Sequence, residues 1–519
     1  MNSALVSVLV SVLLTAGRVA ETPAVPLLWV TAAQGNDQAQ FSLGVRYYMG
    51  VGVGKDNTAA VKWLRRSAGQ GNAYAQYWLA MCYAKGDGVA QDHAQAAKHI
   101  RQAAEQGLAP AQNKLAFFYS EGFGLDKDIP EAVTWFKAAA EQGYAEAQRN
   151  LGVCYFNGHG VNKDVAEAVR WFRKAVEQGD ANAQYHMAVC YYGGLGLPQN
   201  AAEAAKWFRA AAGKGVVEAQ FALGSCYFQG HGVSKDFAEA VKWFRLAAMQ
   251  GHGEAQSNLG ACYFEGFGVE KNAAEAIRWI RSAAEQGYAD AQYNLGLCYM
   301  GRNGVTKDAA EAVTWIRAAA EQGNANAQSF LGWCYLNGEG VKTDDIEAAK
   351  WARLAAEQGH AEAQCRLGWC YYESSDLGKD FAEAVKWFRK SAAQGYAEAQ
   401  YYLGLCYLYA RGVGKDFAEA AKWFKLAAAQ GHVEAQCHLG SCYARGDGMK
   451  ADAVEAVKWY RKAADQGDAN AQYFLGAYLL NGPPVVKNRA EAIRWLEKAV
   501  AQGNENAKKV LELMLQLGM

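Results

Sequence analysis

The chain has 519 residues, and its 52 lysines and arginines are balanced by 52 aspartates and glutamates, so its formal net charge at pH 7 is zero. A chain without excess positive charge lacks the field that holds nucleic acid or an anionic membrane surface, so neither is expected as a partner. The 55 glycines and 7 prolines do not indicate low complexity, because the glycines recur at fixed spacing between helix-forming segments.

The first element is an uncharged apolar run from Ala4 to Leu14, followed by the small residues Thr15, Ala16 and Gly17. This run is too short to cross a membrane and no other stretch is apolar enough, so no stable transmembrane span is expected. Residues 1–19 are interpreted as a signal peptide or a disordered start, and export is the favoured destination. A cytoplasmic location is the alternative, because many unpaired cysteines are unusual in an oxidising compartment.

Residues 20–35 are predicted to form an N-terminal capping helix. Ala24, Val25, Ala32, Gln34 and Gly35 stand at the positions that similar residues occupy in the second helix of the repeat that follows. A terminal half-repeat of this kind covers the end of a stacked array and keeps it soluble.

Residues 36–503 consist of thirteen copies of a 36-residue repeat. The dipeptide Ala-Gln returns every 36 residues from Ala39 to Ala471, and the glycine that closes each copy keeps the same step from Gly35 to Gly503. Such a period is the signature of stacked structural repeats, in which each copy buries its apolar faces against its neighbours. The sequence therefore predicts an all-α solenoid of helix-turn-helix repeats.

The first helix of each copy, called helix A here, carries an apolar stripe. In the fourth copy Ala147, Leu151 and Tyr155 lie at i, i+4 and i+8, and Gly152 beside them allows another helix to approach closely. A Gly-x-Gly turn, such as residues 158–160, follows helix A.

The second helix, helix B, begins at an Asp or Asn in all thirteen copies, for example Asp236. Glu239 follows three residues later, and this spacing predicts a capping-box-like pair. Trp243 lies on the apolar stripe, and Gly251 suits a left-handed C-terminal cap. After the last copy, residues 504–519 are predicted to form a final helix A that serves as the C-terminal cap, with Lys508 and Lys509 turned outward.

The repeat resembles that of the Sel-one-like repeat (SLR) family, relatives of the tetratricopeptide repeat. The pattern is complete in one copy at Ala219, Gln220, Leu223, Gly224, Tyr227, Gly230, Gly232, Val233, Lys235, Asp236, Glu239, Ala240, Trp243 and Gly251. The resemblance implies a right-handed α/α superhelix that acts as an adaptor without enzymatic activity. Members serve in membrane-protein quality control, cell-wall and exopolysaccharide synthesis, signalling and bacterial contacts with host proteins.

The cysteines distinguish this chain from another branch of that family. That branch consists of disulfide-rich bacterial proteins, some described as β-lactam-binding or β-lactam-hydrolysing, with two bridged cysteines in each repeat. Ten of the twelve cysteines here form one column, in which Cys82 precedes an unbroken series from Cys154 to Cys442, and the second column is absent. A secreted or periplasmic β-lactam-hydrolysing solenoid is therefore the alternative to the adaptor.

The column spacing also excludes metal binding. Equivalent residues of stacked repeats lie about 8 to 10 Å apart or more, too far for a disulfide or a zinc shell. We expect buried, reduced thiols, with no metal and no cofactor. No nucleophile, zinc-protease or phosphate-loop motif is found in the sequence.

A protein or peptide partner is expected on the helix A face where the copies differ. The columns that begin at Gln38, Phe41, Val45 and Tyr48 lie together beside the packing stripe, and in tetratricopeptide-like arrays the corresponding surface is concave. The residues in these columns change along the array: acidic residues recur in the column of Gln38, and the other columns carry aromatic residues. The candidate protein-binding residues are Trp333, Trp369, Tyr372 and Tyr401, with Glu362 and Arg366 as a polar rim. The alternative is that these rings pack between repeats.

Overall fold

The computed structural model describes residues 25–301, 306–374 and 378–516, and every regular element in these ranges is an α-helix. The segment interpreted as a signal peptide or disordered start, residues 1–19, lies outside them. The helices are α1 (Val25–Ala33), α2 (Asp37–Met49), α3 (Asn57–Gly69), α4 (Ala73–Lys85), α5 (His93–Glu105), α6 (Ala109–Glu121), α7 (Ile129–Glu141), α8 (Ala145–Asn157), α9 (Val165–Glu177), α10 (Ala181–Gly193), α11 (Ala201–Gly213), α12 (Val217–Gln229), α13 (Phe237–Met249), α14 (Gly253–Glu265), α15 (Ala273–Glu285), α16 (Ala289–Tyr299), α17 (Ala309–Glu321), α18 (Ala325–Asn337), α19 (Asp345–Glu357), α20 (Ala361–Glu373), α21 (Phe381–Ala393), α22 (Ala397–Tyr409), α23 (Phe417–Ala429), α24 (Val433–Arg445), α25 (Ala453–Ala464), α26 (Ala469–Asn481), α27 (Arg489–Ala501) and α28 (Glu505–Gln516).

The chain divides into two compact units, residues 1–247 and 248–519. Within each unit, helix A of a repeat packs against helix B of the same repeat, and helix B packs against the helix A that follows. The prediction of an all-α solenoid of helix-turn-helix repeats is confirmed.

In α4, the helix A of the second repeat, both ends are defined by single residues. Helix α4 begins after Asn72, whose side chain accepts a hydrogen bond from the backbone N–H of Ala75 at 3.0 Å. It ends at Gly86, which has a φ of 78°, and the N–H of this glycine donates to the carbonyl of Cys82. Glycine is the residue that adopts this left-handed cap without steric cost.

The start of helix B differs in one respect from the capping box expected for it. In α9, Asp164 accepts a hydrogen bond from the N–H of Glu167 at 2.9 Å, so the N-cap is confirmed. The reciprocal bond is not formed, because the N–H of Asp164 donates instead to the carbonyl of Tyr155 at the end of helix A. The Glu167 carboxylate is thereby left to pair with Arg170 at 3.1 Å. The glutamate three residues after the N-cap thus forms an ion pair on the outer face of helix B and does not complete a capping box.

Close packing within a repeat depends on the glycine of helix A. A Cβ on Gly152 would lie 2.6 Å from the ring of Phe172 in helix B, closer than van der Waals contact allows. Leu151 and Phe172 are both fully buried beside it. The sequence prediction of a close helix approach at Gly152 is confirmed.

The glutamine of the Ala-Gln dipeptide ties three helices together. Gln148 of α8 is buried, and its Nε2 donates to the carbonyl of Ala140 in α7, the helix B of the preceding repeat. Its Oε1 accepts from Nε2 of Gln178, which follows α9, at 2.8 Å. We call this arrangement the glutamine ladder. Its glutamine pairs are 40–70, 76–106, 112–142, 148–178, 256–286, 292–322, 328–358, 364–394, 400–430, 436–466 and 472–502.

The ladder is interrupted at Gln184. Lys214 stands where the other repeats of the ladder carry the second glutamine, and its ammonium donates to the carbonyl of Gly179 at 2.9 Å. The Oε1 of Gln184 is buried without a hydrogen-bond partner. Buried acceptors are usually paired, so this position is a local weakness of the array.

The two terminal helices pack as half-repeats. Leu28 and Ala32 of α1 are buried, and the carbonyl of Ala32 accepts from Gln40 as a helix B carbonyl does elsewhere. Ala507 and Met514 of α28 are buried in a cluster with Leu496. That these helices act as caps stays a prediction.

Candidate protein-binding surface

The two candidate tryptophans lie on α18 and α20, and each is half-buried. Trp333 lies against Phe330, with ring centroids 5.2 Å apart, and packs on the core that includes Leu331. Trp369 packs on the cluster that contains Leu367 and also on the neighbouring cluster that contains Phe388. Each indole therefore contributes one face to packing and keeps part of its surface accessible.

Tyr372 is not part of an exposed patch, and this expectation is corrected. The side chain is only 3% exposed, and its ring lies 5.4 Å from that of Phe381 and 6.1 Å from that of Phe388. Its hydroxyl accepts a hydrogen bond from the Arg411 guanidinium at 2.7 Å. Arg411 comes from the turn of the next repeat, so the turn covers a ring that a helical wheel of helix A places at the surface.

Arg366 and Glu362 form an ion pair, but Arg366 is not a free rim residue. Its guanidinium donates to Glu362 Oε1 at 2.6 Å and to Ser329 Oγ, on the preceding helix A, at 2.9 Å. The Arg366 side chain is 11% exposed, whereas that of Glu362 is 48% exposed. A charge-assisted bond to a neighbouring helix fixes Arg366 as a link between repeats. Ser329 carried no signal in the sequence for this role.

Tyr401 is half-buried among imidazole and phenyl rings of unit 2. Its ring stacks on His432 at 4.7 Å and lies 5.7 Å from His438. His432 accepts from the N–H of Ala435 as a helix cap and lies 3.3 Å from the Glu434 carboxylate. Burial lowers the pKa of both histidines, which favours the neutral imidazoles. The structure therefore joins Tyr401 to its histidine neighbours, while Trp333 belongs to another packing cluster.

All twelve cysteines are buried and free in the structure. The expected burial of the column is confirmed, and the reduced state in solution stays a prediction. Burial raises the pKa of thiols such as Cys190 and Cys226 to about 11. In the described part of the chain no group of three or more His, Cys, Asp or Glu side chains could hold a metal ion. None of the described helices combines the length and apolarity that a membrane crossing requires.

The cysteine column is expected to resist alkylation in the folded protein. A rise of the thiol pKa from 9 to about 11, as for Cys190, lowers the thiolate fraction at pH 8 by roughly 100-fold. Iodoacetamide labelling followed by mass analysis should modify few cysteines in the native chain and all twelve after denaturation without reductant. Three or more stable intrachain bridges in the unreduced protein would contradict this prediction.

The repeated helix pairs, with buried positions that recur and exposed positions that vary, define an α-solenoid of helix-turn-helix repeats. The Sel1 repeat matches thirteen consecutive times, beginning one residue later than the frame predicted from the sequence. The matches cover residues 37–72, 73–108, 109–144, 145–180, 181–216, 217–252, 253–288, 289–324, 325–360, 361–396, 397–432, 433–468 and 469–504. The chain belongs to the Sel1 repeat family.

Solved structures include similar proteins. A protective antigen present in uropathogenic Escherichia coli strains, which displays an SLR fold, is 34% identical and covers 94% of this chain and 97% of its own, with a TM-score of 0.63. A Sel1 repeat protein from Oxalobacter formigenes is 33% identical over 58% of this chain and 87% of that one, with a TM-score of 0.44. No curated protein gives a significant match to the sequence. Sel1 repeat proteins are generally protein-interaction scaffolds and typically lack catalytic activity.

Proposed function

We propose that this chain is a non-enzymatic adaptor that binds a protein or peptide along the helix A face. One observation carries the proposal: the buried columns repeat while the accessible ones vary. The Ala-Gln dipeptide is buried in every copy, whereas the column of Trp333 also holds Val153, Ser225 and Ala261. Since smaller side chains satisfy the packing there, an indole is not needed for the fold.

The favoured contact region comprises Trp333, Trp369 and Tyr401, with Glu362 as the exposed carboxylate. Half-buried indoles keep a fixed orientation, so they lose little conformational freedom when a partner covers them. Aromatic residues of this kind are typical interface anchors. Arg366 acts indirectly, by holding Glu362 in place.

Replacing both Trp333 and Trp369 with alanine is expected to weaken partner binding by on the order of 2 kcal/mol, about 30-fold in Kd, with a small fall in thermal stability. The partner is first captured by crosslinking from the native host, and the affinity of each purified variant is then measured. The control variant combines Ile346→Ala and Leu354→Ala on α19, which removes apolar side chains that are 56% and 39% exposed. This control should bind as the unmodified chain does.

Two results would contradict the proposal. If the Trp333 and Trp369 double variant loses several kcal/mol of stability but keeps its affinity per folded molecule, these indoles are inter-repeat core. If the purified chain turns over a β-lactam and a single substitution abolishes the turnover, the chain is an enzyme.

A further inference from the structure

A cleft of 710 Å³ opens in unit 1 between α6 and α8. Its floor is formed by Ile129, Val133 and Phe136 of α7, and Ser120 of α6 and Val153 of α8 line its walls. The volume lies within the range of about 300 to 1,000 Å³ that is usual for ligand sites. Glu121 and Lys127 at its edge carry opposite charges, so the charge of the lining matches a neutral occupant.

The cleft lies where the next three repeats of the same unit place an aromatic ring, whereas the preceding repeat carries Ala84. Phe156, Tyr192 and Phe228 are the residues of the next three helices A that correspond to Ser120. The ring of Phe228 lies 5.1 Å from Phe237 and 6.3 Å from Phe244, which correspond to Ile129 and Phe136. Tyr192 lies 6.4 Å from Phe208 in the same way. The array itself thus shows how a ring fits above this floor.

No ring occupies that place above Phe136, because serine stands at residue 120. The Ser120 hydroxyl donates to the carbonyl of Phe117 at 2.9 Å, so it requires no partner from outside. None of the unpaired buried polar atoms found among the described residues belongs to the lining of the cleft. Phe117, 41% exposed, also lines the cleft; Phe123 stacks on its ring at 6.0 Å and the Lys114 ammonium lies 4.6 Å from the ring centroid, so an occupant meets its edge. The lining thus favours an apolar, aromatic group.

We infer that this cleft receives the aromatic side chain, Phe or Tyr, of a bound polypeptide. The ring takes the place that Phe228 fills in its own repeat, stacks on Phe136 and meets the edge of Phe117. Aromatic rings gain from such offset or edge contacts in addition to the area that they bury. The inference rests on the proposed function only in that the occupant belongs to a polypeptide partner.

The test uses N-acetyl-4-fluorophenylalaninamide as the probe and fluorine NMR of the full chain. We expect saturable binding, with weaker competition by N-acetylleucinamide than by N-acetyltyrosinamide. Ser120→Phe, which inserts the ring that the three following repeats carry, should raise the Kd of the probe at least 10-fold and raise the melting temperature. Ser120→Ala leaves the cleft open and should keep the Kd within twofold.

A second variant protects the test against a folding failure. Val153→Trp introduces the indole that Trp333 provides in the same column, and it should close the cleft and weaken the probe to a similar degree. Unchanged probe binding in a folded Ser120→Phe or Val153→Trp variant, or no saturable binding by the unmodified chain, would overturn the inference. The Trp333 and Trp369 double variant should bind the probe normally, so a failure of this inference is distinguishable from a failure of the proposed function.

Discussion

Replacing Gly232 with alanine is expected to lower the free energy of unfolding by about 3 kcal/mol or more. Gly232 is the second glycine of a Gly-x-Gly turn and has a φ of 71°. A Cβ there would lie 1.9 Å from the carbonyl oxygen of Ala201, the first residue of helix B in the preceding repeat. Because the obstacle is backbone, it cannot rotate away, and the two repeats must separate.

The matched control is Gly215→Ala. Gly215 also has a positive φ, of 90°, but a Cβ there would meet nothing within 4 Å. Its substitution should cost only the left-handed conformation, about 1 to 2 kcal/mol. Urea denaturation measures both variants, and hydrogen exchange should accelerate mainly around α11 to α13 in the Gly232 variant. Equal losses in the two variants would show that the close approach to Ala201 contributes nothing.

The glycines show which features of the fold the sequence predicts and which it does not. Their period predicted turns and helix ends, because positive φ favours glycine locally. Gly86 ends α4 in this conformation, and Gly152 allows the close helix approach expected of it. The contact between Gly232 and Ala201 joins two repeats, so no property of the turn alone indicates it. The repetition of a residue thus indicates that its position is constrained, but it does not identify the neighbouring residue that imposes the constraint.

The candidate surface was predictable only in part for the same reason. A helical wheel places Trp333, Trp369 and Tyr372 on one face of helix A, and the two indoles are indeed partly accessible. Tyr372 is covered by Arg411, which belongs to the turn of the following repeat, 39 residues later. The wheel contains no information on how far that turn reaches. The cleft at Ser120 was also missed, although the serine precedes four aromatic residues in the same column, Phe156, Tyr192, Phe228 and Phe264.

Replacing Gln148 with leucine is expected to destabilise the chain by about 2 kcal/mol or more. The substitution introduces an apolar side chain of similar size and leaves the Ala140 carbonyl and the Gln178 amide without their partner. A buried polar group without a partner costs about 1 to 3 kcal/mol, which exceeds the net gain from one satisfied hydrogen bond. Chemical denaturation measures the loss, and hydrogen exchange should place it in α7 to α9.

The interruption of the glutamine ladder at Gln184 provides a control variant and a substitution that is expected to stabilise the chain. Gln184→Leu removes an acceptor that has no partner, so it should cost less than Gln148→Leu. Lys214→Gln restores the missing donor. Gln394 stands at the equivalent position and donates to the carbonyl of Gly359, the equivalent of the Gly179 carbonyl that Lys214 binds. We expect this substitution to stabilise the chain by about 1 kcal/mol. If Lys214→Gln destabilises the chain while Gln148→Leu and Gln184→Leu cost the same, the glutamines are spacers, and van der Waals packing alone holds consecutive repeats together.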